Sequence, residues 1–307
     1  MNLAPIVLFV YNRPYNTKLL LESLEQNYLS KSSTLYIYCD GPKTNLNKNE
    51  IDKIQQVKDI IYKIKFCKKV IIVESPTNKG LANSVIDGIS EILKIYEKII
   101  VLEDDLILGT NFLEYMNISL NKYENESRVM QISAFQFPII DENNKSFFLP
   151  VITTWGWGTW KRVWENVDFE PIDWDIFLSN RNNRKKFDLN GSYPYSKMLD
   201  LQMKKNEYGS WGIRFYFDIF KKNGLTLFPS HPFVQHTDSD FSGTHKSDYI
   251  NLNFKNWNSK SKVDNFPTIV DSDYLMFKYL TNYYNKRKSI IGILKRIQFR
   301  LKQLFIK

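Results

Sequence analysis

Four polar clusters stand out by residue type and position: Asn12-Arg13, Asp40-Gly41, Asn78-Lys79-Gly80 and Glu103-Asp104-Asp105. The last sets three carboxylates side by side, where mutual repulsion raises their pKa values unless a cation neutralises them. A hard divalent ion such as Mg²⁺ or Mn²⁺ suits carboxylate oxygen combined with phosphate oxygen, and the planar fork of Arg13 suits a diphosphate or a carboxylate. These residues can therefore support a metal ion bridging protein and diphosphate. The plain alternatives are a solvated acidic turn, a surface arginine beside Pro14, and an Asp40-Gly41-Pro42 turn that needs no ligand.

What raises the first reading is the place of each cluster along the chain. Ile6-Val7-Leu8-Phe9-Val10, Leu35 to Cys39, Val70 to Val73 and Ile99 to Leu102 are short β-branched or apolar runs of the kind buried in a sheet. Each cluster follows one of them, with at most four residues between. Between the runs, residues 17–29, 51–64 and 82–96 carry apolar residues at helical spacing. Strands alternating with helices predict a mostly parallel sheet, whose ligands bind beyond the carboxyl ends of the strands. The fold class is α/β, Rossmann-like, with helices flanking the sheet.

From residue 129 the alternation fades. A strand-like Val129 to Ser133 remains, followed by an aromatic, loop-rich stretch with Trp155, Trp157, Trp160 and Trp164 close together. No Gly/Ser linker intervenes, so residues 1–128 and 129–285 read as halves of one domain, and residues 286–307 as an amphipathic C-terminal helix.

Composition narrows the classes further. A hydrophobic content of 43% across 307 residues supplies a sizeable core. Cys39 and Cys67 stand far apart, which excludes a disulfide framework and a cysteine-rich zinc site and suits a reducing compartment. The formal net charge is +9, but residues 286–307 alone hold eight Lys and Arg and no acid. A nearly neutral body disfavours nucleic acid as a partner. The N-terminus lacks a basic region, and its apolar run is too short for a signal peptide core, so a cytoplasmic location is expected.

In order along the chain, Pro5 to Pro14, Cys39-Asp40-Gly41-Pro42, Asn78-Lys79-Gly80-Leu81-Ala82, Val101 to Leu106, Trp155-Gly156-Trp157-Gly158-Thr159-Trp160 and Gly243-Thr244-His245 resemble bacterial sugar-nucleotide glycosyltransferases of the glycosyltransferase A fold. Within that fold the N-acetylglucosaminyltransferase I group is the nearest likeness. The resemblance spans roughly residues 4–250. It implies transfer of a hexose or N-acetylhexosamine from a nucleoside diphosphate, UDP above all, to a glycan hydroxyl in surface polysaccharide or lipooligosaccharide synthesis.

Carried over by position, the resemblance implies that Arg13 and Asp40 contact the nucleotide, Asp40 at the uridine, with Asn78, Lys79 and Glu103 on the same side. Asp104 would face the donor sugar, and Asp105 would hold Mn²⁺ or Mg²⁺, with His245 as a second ligand. Trp155, Gly156, Trp157, Trp211 and Arg214 would line the sugar and acceptor side, although tryptophans so close together also make ordinary core. The group carries an acid after a tryptophan near the acceptor. Here that stretch reads Ser210-Trp211-Gly212-Ile213-Arg214, with glycine in the acid's place. Glu207, Asp218, Asp238 and Asp240 are the nearby acids that could serve as base, and Asp240 is preferred for its place in the polar loop of residues 238–245. With such a base the transfer inverts the anomeric centre; without one, retention stays open. A sugar nucleotidyltransferase would want a glycine-rich loop after the first strand, which is absent. A non-catalytic carbohydrate-binding protein would suit both the tryptophans and the glycine.

At the C-terminus, Ile290, Ile293, Leu294, Ile297, Leu301, Leu304 and Phe305 fall on one helical stripe, with Lys295, Arg296, Arg300 and Lys302 largely on the rest. That is the pattern of a helix lying on an anionic inner leaflet beside a glycolipid acceptor. A helix docked on the body or on a second subunit would share it.

Overall fold

The computed structural model describes residues 2–138, 145–205, 210–237, 258–260, 262–263 and 265–288. Five consecutive apolar residues make β1 (Ile6–Val10) a strand that needs cover on both faces, and it is buried throughout. Pro14 stands in the first turn of α1 (Pro14–Glu25), where its missing N–H costs nothing. The helix therefore starts ahead of the Thr17 boundary that its leucine stripe predicts. β2 (Thr34–Cys39) buries alternate residues. In α2 (Lys48–Ile61) a capping box fixes the start: Asn47 accepts from the Glu50 amide and Glu50 from the Asn47 amide. β3 (Lys69–Glu74), α3 (Leu81–Leu93) and β4 (Lys98–Glu103) complete the alternating half.

The chain then turns at Asp104 and Asp105 into β5 (Leu106–Leu108) and continues through α4 (Phe112–Lys122), β6 (Val129–Ser133), β7 (Phe147–Leu149) and β8 (Trp157–Trp160). Next come the helical segments α5 (Lys161–Trp164), α6 (Trp174–Ser179), α7 (Arg181–Phe187), α8 (Tyr195–Lys205) and α9 (Trp211–Lys221). β9 (Leu225–Phe228), β10 (Val234–His236) and α10 (Tyr274–Lys288) follow.

Eight strands form one sheet in the order β3-β2-β1-β4-β8-β6-β9-β7, and β5 pairs with β10 in a separate ribbon. β1 lies parallel between β2 and β4, while β8 runs antiparallel to β4 and β6, and β7 antiparallel to β9. The molecule is thus a mixed α/β protein with a large, mostly parallel central sheet flanked by helices. The sheet crosses residue 129 without interruption, because β8 hydrogen-bonds to β4 on one side and β6 on the other. β7 and β8 are where the sequence suggests loop: strands of three and four residues are too short to show alternation.

Trp157, Trp160, Trp164 and Trp211 are core. Trp157 stacks on Trp211 with ring centroids 5.2 Å apart, and Trp164 and Phe215 pack against the same pair. Gly156 makes this strand entry possible. Its φ is +58, and a Cβ there would stand 2.6 Å from Val234 Cγ1.

Candidate functional site at the carboxyl ends of β1 and β4

Parallel pairing of β1 with β4 sets Phe9 beside Glu103, so the residues that follow both strands emerge at the same rim. Arg13, at the start of α1, extends its guanidinium to the acidic turn, with Nη1 3.2 Å from Asp104 Oδ1 and 3.1 Å from Asp105 Oδ2. The ribbon brings a second nitrogen from far along the chain. His236 pairs with Leu106 across β10 and β5, and its Nε2 lies 3.1 Å from Asp105 Oδ2. The backbone holds this closure as well, since the Thr237 amide donates to the Asp105 carbonyl at 2.8 Å and Asn16 Nδ2 to Thr237 Oγ1 at 2.9 Å.

The three acids differ in their electrostatics. Burial, with the charges of Asp105 and Asp104 added, pushes Glu103 up to about 8. Burial likewise raises Asp104 to about 7, against the pull of Arg13 and a hydrogen bond from the Tyr11 amide. At Asp105 burial acts in the same direction, but the His236 hydrogen bond, the His236 charge and Arg13 together outweigh it and hold the carboxyl below its usual range. The site therefore keeps one carboxylate ionised and two more that a further positive charge would ionise.

At the ends of β2 and β3 the chemistry is different. Asp40 Oδ1 accepts from the amides of Gly41 at 2.9 Å and Lys79 at 2.8 Å, and its Oδ2 accepts from Gly80 at 3.0 Å. Asn78 Nδ2 donates to the Gly41 carbonyl at 2.9 Å. Asp40 and Asn78 thus lace two loops together, and Gly41 lets them close, since a Cβ there would stand 2.5 Å from the Thr77 carbonyl carbon. Lys79 Nζ turns to Asp87 at 3.1 Å on the surface. This laced pair adjoins the acidic turn, because the Asp40 amide donates to the carbonyl of Val10 and the next residue, Tyr11, hydrogen-bonds Asp104 through its amide.

On the acceptor side the expected residues separate. Trp155 is half-buried, with its ring centroid 4.9 Å from that of His236. Trp157 and Trp211 are 0% and 3% exposed, so their rings build core and line no open surface. Gly156 is buried by its approach to Val234. Arg214 is buried too, its Nη1 donating to the Phe169 carbonyl at 3.2 Å and pairing with Glu170. Asp218 is committed elsewhere: Oδ1 accepts from the Asp168 amide at 3.2 Å, and Oδ2 pairs with Lys222 Nζ at 2.6 Å. Glu207, Asp238, Asp240 and His245 lie outside the described residues.

His236 and Tyr11 are the site residues that sequence reasoning missed. His236 follows Val234-Gln235 in a run of three that shows no period, and only the β5–β10 pairing reveals what it faces. Among the described residues, no group of three His, Cys, Asp or Glu side chains is arranged to hold a metal ion.

No protein-family model and no curated protein matches the chain. Among solved structures, it is similar to residues 1–349 of S. aureus TarS with a TM-score of 0.43 at 12% identity, over 77% of this chain and 60% of that one. A longer S. aureus TarS structure matches with a TM-score of 0.37 at 10% identity, over 61% and 34%. Mouse xyloside xylosyltransferase 1 in its apo form matches with a TM-score of 0.37 at 12% identity, over 71% and 81%. The chain thus spans under two thirds of the TarS structures, and likeness at this level assigns neither an activity nor a residue.

Proposed function

We propose that this chain is a glycosyltransferase of the glycosyltransferase A type, moving a sugar from a nucleoside diphosphate, UDP for preference, to a glycan hydroxyl. The observation that carries the reading is the meeting of Arg13, Asp104, Asp105 and His236 at one rim of the sheet, drawn from the ends of β1, β4 and β10. The ordered motifs that resemble the N-acetylglucosaminyltransferase I group and bacterial surface-glycan enzymes agree with it.

The donor set fits a hard divalent cation. Burial raises Glu103 and Asp104, which a further positive charge would favour in ionised form, and Asp105 is held low beside an imidazole. Asp105 would hold Mn²⁺ or Mg²⁺, with His236 beside it as a candidate second ligand; His245 lies outside the described residues. When bound, such a cation would supply positive charge to neutralise a diphosphate leaving group. Arg13 has the fork to exchange a carboxylate for a phosphate oxygen and so stabilise the departing diphosphate, a contribution of about 3 kcal/mol for one such donor. Asp104, hydrogen-bonded by Tyr11 and Arg13, orients the donor sugar. Asp40 and Asn78 fix the loops against which the nucleoside lies. The acceptor hydroxyl proton passes to a carboxylate, Asp240 by preference, and attack opposite the diphosphate inverts the anomeric centre.

Calorimetric titration with UDP tests the reading. Wild-type protein binds in the presence of Mn²⁺ and much more weakly without it, whereas Asp105→Ala loses the Mn²⁺-dependent part. Equal affinity of both proteins with and without Mn²⁺ removes the metal, and no UDP release from any UDP-sugar in a donor panel removes the transfer.

A further inference from the structure

The outward face of α10 carries exposed aromatic and aliphatic side chains beside lysine. Met276, Leu280 and Tyr284 recur every fourth residue and are buried, Tyr284 packing on Tyr193 with centroids 4.7 Å apart. The helix is fixed to the body at its start, where the Asp273 amide donates to the Phe148 carbonyl at 2.9 Å and Asp273 Oδ1 accepts from the Met276 amide at 2.9 Å. With that face held inward, the opposite one stands in water. It carries Tyr274 at 73% exposure, Leu275 at 56% and Tyr279 at 46%, interleaved with exposed Lys278. These four occupy positions i, i+1, i+4 and i+5, one continuous stripe.

Charge points to what covers the stripe. Residues 274–307 hold nine Lys and Arg and no Asp or Glu, while the net charge of the whole chain is +9, so the rest of the molecule balances to zero. A stripe of exposed tyrosine and leucine interleaved with lysine has the two components of interfacial binding: rings that settle at the headgroup level and cations that meet anionic phosphate. A second copy of the same face would set lysine against lysine. Among the described residues no helix is long and apolar enough to cross a membrane, so α10 can lie on a bilayer but not span it.

We infer that α10 lies along an anionic lipid surface through Tyr274, Leu275, Lys278 and Tyr279, extending to the folded body the contact expected of residues 286–307. The contact is thereby rigidly joined to the sheet, because α10 packs against β7. It stands independently of the proposed reaction.

Co-sedimentation of the full chain with vesicles decides it, using pure phosphatidylcholine and phosphatidylcholine with about one third phosphatidylglycerol, at about 0.1 M salt. Wild-type protein partitions onto the anionic vesicles and not onto the neutral ones. The triple variant Tyr274→Ser/Leu275→Ser/Tyr279→Ser, altered only at exposed positions, keeps its melting temperature and loses at least about tenfold in partition. Lys278→Glu, which leaves the apolar groups in place, loses about fivefold or more on anionic vesicles. Equal partition of the wild type onto both vesicles overturns the inference, and so does wild-type partition by the triple variant or by Lys278→Glu. Transfer to a soluble acceptor is unaffected by these substitutions, so failure here and failure of the proposed reaction are read separately.

Discussion

His236 Nε2 lies 3.1 Å from Asp105 Oδ2, and the contact exists only because β10 pairs antiparallel with β5, the strand that leaves the acidic turn. A turn between two strands of a sheet is a common place for carboxylates. A turn clamped by a histidine on one side and an arginine on the other is a place where a carboxylate is held ionised and aimed. If His236 holds or orients the cation with Asp105, His236→Ala lowers Mn²⁺-dependent UDP affinity by about 10- to 100-fold, the usual range for losing a residue that positions a metal ligand. Titration of UDP at fixed Mn²⁺ checks this, with far-ultraviolet circular dichroism as the control for folding.

Arg13 bridges Asp104 and Asp105 through one guanidinium nitrogen, and its planar fork matches phosphate as well as carboxylate. A lysine keeps the charge but not the fork. Arg13→Lys is therefore expected to lower turnover by about 10²-fold while the melting temperature moves by only about 2 °C. A kcat within threefold of wild type would limit Arg13 to neutralising the acids.

The alternating half of the fold was legible because its strands are long enough to show their character. Ile6–Val10 and Lys98–Glu103 are apolar almost throughout, so their ends, and with them Arg13 and the acidic turn, could be placed from the sequence. Asp40 was found as a polar residue at a strand end, but its three backbone donors come from a loop that follows a different strand, and no local pattern encodes that. β8 was hidden because Trp157-Gly158-Thr159-Trp160 is buried at all four positions and has no alternating face to read. Trp157 and Trp211, which suggested sugar faces, are core for a related reason: composition marks apolar area, not the direction in which it points.

Asp40 gives a test that separates anchoring from nucleotide contact. Its carboxylate accepts three backbone amides, and hydrogen bonds to a charged group contribute a net of about 1.5–3 kcal/mol each. Asp40→Ala should lower the melting temperature by several degrees even in the absence of nucleotide. Asp40→Asn, which retains one acceptor oxygen, should lie between the two. A melting temperature unchanged in Asp40→Ala would leave the lacing of the two loops without energetic weight.

The acid cluster gives the metal-free protein a pH dependence of stability. Glu103 at about 8 and Asp104 at about 7 stand above the ordinary carboxylate range, so the folded state keeps protons that the unfolded chain has released. Between about pH 5 and pH 8 stability therefore falls as pH rises, by up to about 1.4 kcal/mol per pH unit for each proton retained. Asp105, held low, contributes with the opposite sign, its stabilisation being lost only as pH falls below the ordinary range. Thermal melts in chelator should show a decline of several degrees from pH 5 to pH 8, smaller in Glu103→Gln. Mn²⁺ should restore more at pH 8 than at pH 5. A flat profile in chelator would mean that the acids are more hydrated than their burial implies.

Trp155 and Trp157 stand two residues apart on opposite sides of the question of what the aromatic segment does. Trp157 is 0% exposed and stacked on Trp211, so Trp157→Ala removes core volume and costs about 3–5 kcal/mol of stability, with activity lost through unfolding. Trp155 is half-buried beside His236, close to the clamped carboxylate and still open to solvent. Trp155→Ala should cost much less stability and act on the reaction: if its ring supports a pyranose, acceptor KM rises by about tenfold with the UDP affinity unchanged. Melting curves and acceptor saturation kinetics for the two variants separate packing from binding. Equal loss of stability in both would place Trp155 in the core with its neighbour and leave the acceptor side without an aromatic platform.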